Sequence, residues 1–198
     1  KMKEIAKKWD FIWENYYEKL ECISLAKKIS LSLLFALIIG ISGQIYIKLP
    51  FTPVPLTLQV FFVLLSGILL GSNFSSLSNI FYFLFGILGI NWFFASSSGF
   101  FRPTTGYIIG FIFSSYFVGK YFFLRKSKIY SFLIMFSSVL IIYIFGCLFL
   151  SVFFKFNFKK TIFFGVLPFI PFDLVKAYLV SIIGNSIMRN KRRNYEKI

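Results

Sequence analysis

Histidine is missing from this 198-residue chain, cysteine occurs twice, and between Glu21 and Glu196 there is a single acidic side chain, Asp173. Each scarcity removes a class of function. Without histidine no Ser-His-Asp set can be assembled, and metal or redox chemistry loses its commonest ligand. Cys22 falls in a basic N-terminal stretch and Cys147 in the middle of an apolar run. They would lie at different levels of the structure, so neither a disulfide nor a metal site is expected of them. One acid in the body of the chain cannot supply the paired carboxylates of aspartyl proteolysis. No Walker lysine motif occurs, so any energy coupling must come from elsewhere. The expectation is a protein that is not an enzyme and holds no metal or cofactor.

What is abundant is apolar. Hydrophobic residues make up 58% of the chain, aromatics 22% and charges 15%, with a mean hydropathy of +0.78. A soluble domain has roughly 45–50% apolar and about 25% charged residues, so an all-α integral membrane protein is expected. The formal net charge is +15, but 16 of the 22 basic residues fall in three groups. They precede the first apolar span, occupy the stretch from Lys120 to Lys128, and close the chain. Cytoplasmic anchoring in lipid explains this pattern better than a nucleic-acid footprint. Charges are dense at the start and no apolar core follows promptly, so a cleavable signal peptide is not expected.

About 20 helical residues cross the hydrocarbon of a bilayer, fewer in a compact bundle. Six spans can be drawn, near residues 29–47, 56–70, 74–90, 107–124, 129–154 and 171–188. The second and third are short and separated only by Gly71, Ser72 and Asn73, which predicts a tight hairpin. Residues 161–170 are read as a partly buried loop, with Pro171 at the first helical position and Asp173 in the first turn, where the helix dipole favours negative charge. An even number of spans puts both termini on the side richer in lysine and arginine, the cytoplasm. The remaining loops carry only Lys48, Arg102, Lys155, Lys159 and Lys160. Before the first span, Ile5, Trp9, Ile12, Tyr16, Leu20 and Ile23 recur every three to four residues. That pattern predicts a helix lying in the cytoplasmic interface, serving as an anchor or as a dock for a partner protein. Three units result: an amphipathic segment at 1–28, a six-helix domain at 29–188 and a basic tail at 189–198.

An acid within lipid costs roughly 2.5–3.5 kcal/mol on insertion scales, so it faces a cavity, has a partner and marks a substrate path. Lys176 lies three residues beyond Asp173, on the same helix face. Pro50, Pro53 and Pro55 stiffen the loop that leads to Thr57 and Gln59. The Gln59 amide, able to donate and accept, suits a neutral polar ligand, or it serves only as part of a capped helix start. Gly99 and Gly106 flank Arg102 in a second polar loop. The guanidinium offers a fork for a carboxylate, or it snorkels to phosphate headgroups. Asn91 sits at the same outer level. Ser32, Ala36 and Gly40 form a small-residue stripe, and Gly106, Gly110 and Ser114 form another. Such stripes let helices approach closely, within the bundle or against a separate subunit.

Four strings together resemble the BioY family: FTPVPLTLQ at 51–59, the glycine turn from Tyr82 through Gly86 to Gly89, RPTTGY at 102–107 and PFIPFDLVKA at 168–177. That family comprises biotin-binding substrate-specificity (S) components of energy-coupling-factor (ECF) transporters. The resemblance runs in register from about Ile29 to Met188. It implies a six-helix bundle in the plasma membrane of a prokaryotic cell, a biotin pocket near the outer face, and partnership with a coupling transmembrane subunit and two ATPase subunits that alone use ATP. Carried over, Asp173 and Lys176 match the acid and lysine of the last helix, Gln59 the end of the proline loop, Asn91 the polar position after the glycine turn, and Tyr107 the tyrosine of the PTxGY string. Ser32, Ala36 and Gly40 match the docking stripe, with Ser and Gly in place of alanines. Phe172 and Thr105 stand where the family has glycine.

The chemistry is compatible. An ionised Asp173 would accept a ureido N–H of biotin and Asn91 or Gln59 would pair with its remaining polar atoms, beside Tyr82, Trp92 and Phe93. Lys176 would keep the acid charged, or the pair would only tie the helix to its neighbours. Alternatives are a riboflavin or thiamine S component and, from another class, an intramembrane enzyme or a structural assembly protein.

Overall fold

In this computed structural model residues 23–93, 98–124 and 127–195 are described. They form helix α1 (Leu25–Ser42), strands β1 (Tyr46–Ile47) and β2 (Leu56–Thr57), and helices α2 (Gln59–Ile87), α3 (Thr105–Tyr121), α4 (Lys128–Phe154), α5 (Phe158–Gly165) and α6 (Ile170–Tyr195), with a 3-10 turn at Phe122–Leu124. By length and composition α1, α2, α4 and the 170–187 part of α6 are long and apolar enough to cross a membrane. The chain is a multi-pass membrane protein. Of the expected amphipathic segment at 1–28, residues 1–22 lie outside the described residues, and α1 begins at Leu25, before the expected start of the first span at 29.

Helix α2 is two limbs rather than one rod. Gly71 breaks it with φ 74° and ψ −178°, a left-handed region that glycine enters without a Cβ penalty. The consequence is legible in a single hydrogen bond. Gln59 Nε2 donates to Tyr82 Oη at 2.6 Å, although a straight helix would hold residues 23 positions apart about 34 Å from each other. Residues 59–70 and 72–87 therefore fold back as the expected hairpin. The first limb would span roughly 18 Å, short of a typical hydrocarbon core.

Lipid supplies no hydrophobic force between helices, so close backbone approach and polar cross-links hold the bundle together. Ser75 and Ser76 donate from the second limb to the carbonyls of Ser115 and Ile112 on α3, both at 3.1 Å. Asn79 Nδ2 donates to Ser115 Oγ at 3.0 Å. A Cβ on Gly119 would strike the backbone at Gly71 and Ser72, and Cβ atoms on Gly106 and Gly110 would strike α4 at Phe145 and Ile142. The second small-residue stripe is thus consumed by packing of α3 on α4.

The first stripe also packs inside the bundle. Ser32, Ala36 and Gly40 are all buried on the inner face of α1. Ser32 Oγ donates to Phe74 O at 3.0 Å, and Gly40 accommodates the Trp92 ring. The outer face of α1 carries Leu34, Leu37 and Ile41 instead.

Several boundaries also shift. The first span stops at Ser42, because the chain turns at Gly43 and pairs Tyr46 with Thr57 and Ile47 with Leu56 in an antiparallel ladder. The second begins at Gln59 and the third ends at Ile87. Residues 161–170 are not a loop throughout. Helix α5 covers their first half, started by Asn157, whose side chain accepts from Lys160 N, and Pro168 falls after it. Pro171 is the second residue of α6, still inside the first turn, where its missing donor costs nothing. Helix α6 continues to Tyr195, into the expected basic tail. Phe172 and Thr105 lie in helical backbone, so neither position requires glycine's conformational freedom.

Candidate functional site

The starts of α2, α3 and α6, the middle of α4 and the β1–β2 loop converge at one end of the bundle around a partly open cavity. Its walls are mostly apolar, with Val60, Ile108, Phe111, Ile142 and Phe169 among them. Asp173, Lys176, Gln59, Tyr82 and Tyr107 all line it. Apolar walls with a few convergent polar groups are the makings of a small-molecule site.

Asp173 sits in the first turn of α6 and is 3% exposed. Both its oxygens are engaged. Lys176 Nζ donates to Oδ1 at 2.7 Å and Tyr143 Oη donates to Oδ2 at 2.8 Å. Lys176 Nζ also donates to Thr57 O at 2.7 Å, tying α6 to β2. An ionised carboxylate has about four lone-pair sites, so roughly two remain for a ligand N–H. The ammonium has one proton left. The ensemble is charge-balanced and presents hydrogen-bonding capacity without net charge.

Gln59 is held from three sides. Its Nε2 donates to Tyr82 Oη and to Ile39 O at 3.4 Å, and its Oε1 accepts from Thr57 Oγ1 at 3.3 Å. A Cβ on Gly43 would come within 2.8 Å of Nε2, so a side chain there would press on this amide. Tyr107 donates from Oη to Gly165 O at 2.8 Å, and Gly146 leaves space for its ring.

The other four expected residues do not line the cavity. Trp92 and Phe93 stand behind Tyr82, with ring centroids 5.5 and 5.3 Å away, and Trp92 Nε1 donates to Tyr82 O at 3.0 Å. They brace the wall. Arg102 Nη1 donates to Ser98 O at 3.3 Å, within its own loop, and Asn91 is exposed. Sequence reasoning missed Tyr143, Thr104 and Phe111, which do line it. Tyr143 is one of 11 tyrosines, in a long apolar helix, and nothing local separates it from a membrane aromatic. Among the described residues no cluster of three His, Cys, Asp or Glu side chains could hold a metal.

The BioY family profile matches residues 14–193 of the chain. Among curated relatives, the "Probable biotin transporter BioY" of Pyrococcus horikoshii is 39% identical over 83% of this chain and 98% of its own length. The "Biotin transporter BioY" of Thermotoga maritima is 33% identical over 77% and 89%. A crystal structure of the S-component for biotin from an ECF-type ABC transporter superposes with a TM-score of 0.75 over 84% of this chain and 95% of that one, at 22% identity. That likeness establishes a shared fold.

Proposed function

This chain belongs to the BioY family, and we propose that it takes up biotin as the substrate-binding component of an ECF transporter. The observation that carries the reading is the buried Asp173, balanced by Lys176 and Tyr143 on the wall of an otherwise apolar cavity. Biotin has two ureido N–H donors and a carbonyl acceptor on one edge, a sulfur ring and a flexible acid tail. Asp173 accepts a ureido N–H, and the spare proton of Lys176 serves the ureido carbonyl. Val60, Ile108 and Phe111 take the sulfur ring. Gln59 and Tyr82 complete the polar wall. Since Lys176 already neutralises Asp173, a cationic vitamin such as thiamine finds no unpaired charge to offset its desolvation.

In this reading six limbs cross the plasma membrane of a prokaryotic cell. They are α1, the two limbs of α2, α3, α4 and α6. The end of the bundle bearing Lys27, Lys28, Lys120 and Lys128 is cytoplasmic, as are both termini. The cavity, at the opposite end, receives biotin from outside. Segment 1–28 begins in the cytoplasmic interface and 189–198 completes the basic cytoplasmic end. A coupling transmembrane subunit and two ATPase subunits supply the work, and ATP is consumed there. The chain needs no resident cofactor.

The test is calorimetric titration of the purified protein in detergent with biotin, with riboflavin and thiamine as competitors. Biotin binds, and neither competitor displaces it. Asp173→Asn weakens binding at least about tenfold, through loss of a charge-assisted hydrogen bond. Parent-like affinity in that variant would remove the ureido contact, and displacement by thiamine or riboflavin would reassign the ligand.

A further inference from the structure

Three basic residues stand together at the cavity end of the bundle, and neither the packing nor the ligand accounts for them. Lys155, Lys159 and Lys160 are all exposed. Between Glu21 and Glu196 the chain has one acid, Asp173, which is buried and already bonded to Lys176 and Tyr143. Within residues 23–195 no free carboxylate is left to pair with the three ammonium groups.

Their setting fixes the level at which they stand. Helix α4 has 27 residues, a rise of about 40 Å against a hydrocarbon core of about 30 Å, so its end reaches the headgroups. There Lys155, at φ 52°, closes α4 in the left-handed region, and α5 begins three residues on. Helix α5 is the most amphipathic of the described helices. Thr161 and Gly165 are its buried face, while Phe158, Lys159, Lys160 and Phe163 are exposed. Lysines among exposed rings suit a helix lying in the membrane interface, with the rings toward acyl chains and the ammonium groups at phosphate level. The far end of the same short helix serves the cavity. Phe164 O accepts from Thr52 Oγ1 at 2.6 Å, and Gly165 O accepts from Tyr107 Oη.

A second copy of this chain offers no free acid from residues 23–195. An anionic phospholipid offers phosphate to the lysines and acyl chain to the rings in one molecule. We propose that Lys155, Lys159 and Lys160 bind the phosphate of anionic phospholipids and so seat α5 on the membrane surface. This goes beyond the transport reading and holds whichever molecule fills the cavity.

The experiment places a reporter on α5 in the full chain. Phe163→Trp adds an exposed indole beside the lysines, and its emission is taken as the difference from the parent. The protein is reconstituted in nanodiscs of phosphatidylcholine with a fixed minor share of phosphatidylglycerol. Acyl-chain bromine, a contact quencher, is carried either by the phosphatidylglycerol or by an equal amount of the phosphatidylcholine. Surface charge is the same in both, so the identity of the neighbouring lipid alone is read. Bromine on phosphatidylglycerol quenches the reporter at least about twofold more, since each lysine near the surface attracts anionic lipid. In the reporter background, Lys155→Gln, Lys159→Gln and Lys160→Gln together bring the ratio to about one, whereas arginine at all three positions keeps it. Lys159→Gln with Lys160→Gln is the second neutralised form should the triple variant not fold, and it lowers the ratio, with monodispersity and Tm recorded for each. Equal quenching from the two lipids, or an excess that survives neutralisation, would overturn the proposal. Loss of the excess on adding inorganic phosphate at constant ionic strength would also overturn it, by assigning the lysines to a soluble anion.

Discussion

Removing the lysine should harm this protein more than removing both charges. In Lys176→Met the flexible apolar side chain fills much of the same space, but Asp173 keeps its charge with Tyr143 alone for company, and Thr57 O loses its donor. The side chains of the pair are 12% and 5% exposed, so water does little to screen the abandoned carboxylate. Breaking one member of a buried pair costs about 3–5 kcal/mol, whereas replacing both with neutral groups is often close to neutral. For a chain of this size, on the soluble-protein scale, that corresponds to a Tm lowered by about 6–20 °C. The double variant Asp173→Asn with Lys176→Met should recover most of the loss. Intrinsic tryptophan fluorescence during a thermal ramp in detergent reads both, and titration with biotin should show weak binding in each. If the double variant is as unstable as the single, the uncompensated charge is not the source of the damage. If the single variant melts with the parent, the pair carries no such strain and the reasoning fails.

Two further outcomes follow from individual contacts. Tyr143→Phe keeps the ring and deletes the donor to Asp173 Oδ2, so biotin should bind about tenfold more weakly, the size of a charge-assisted bond. Because the carboxylate is then less satisfied, the cationic analogue iminobiotin should lose less than biotin, and equal losses measured in parallel titrations would refute a role through Asp173. Gly146→Ala places a methyl group against the Tyr107 ring, displacing it and its bond to Gly165 O. Overpacking of this kind costs about 1–3 kcal/mol, and a Tm within error of the parent would show that the wall yields freely.

Much of the site was legible because it depends on short sequence separations. Asp173 and Lys176 meet through the i, i+3 geometry of one helix. Gln59 and Thr57 meet across a strand-to-helix turn. The hairpin at Gly71 followed from the spacing of two short apolar runs. Asn91 and Arg102 were expected at the site because they occupy polar loops at the correct level, but level is only one coordinate. Their side chains do not line the cavity, and neither loop contains a periodic element that would have indicated direction.

The composition, the basic clusters and the proline and glycine punctuation of the sequence determined a membrane bundle, its hairpin, and an acid–lysine pair at the head of the last helix. Tertiary structure alone decided that Tyr143, 30 residues before Asp173, completes the carboxylate's bonding. It alone turned the stripe of Ser32, Ala36 and Gly40 inward. The reason is the solvent. In water an amphipathic pattern reveals how a helix is rotated, but a helix apolar on every face carries no such record. Its rotation in lipid is set by close packing and polar cross-links between segments far apart in the chain.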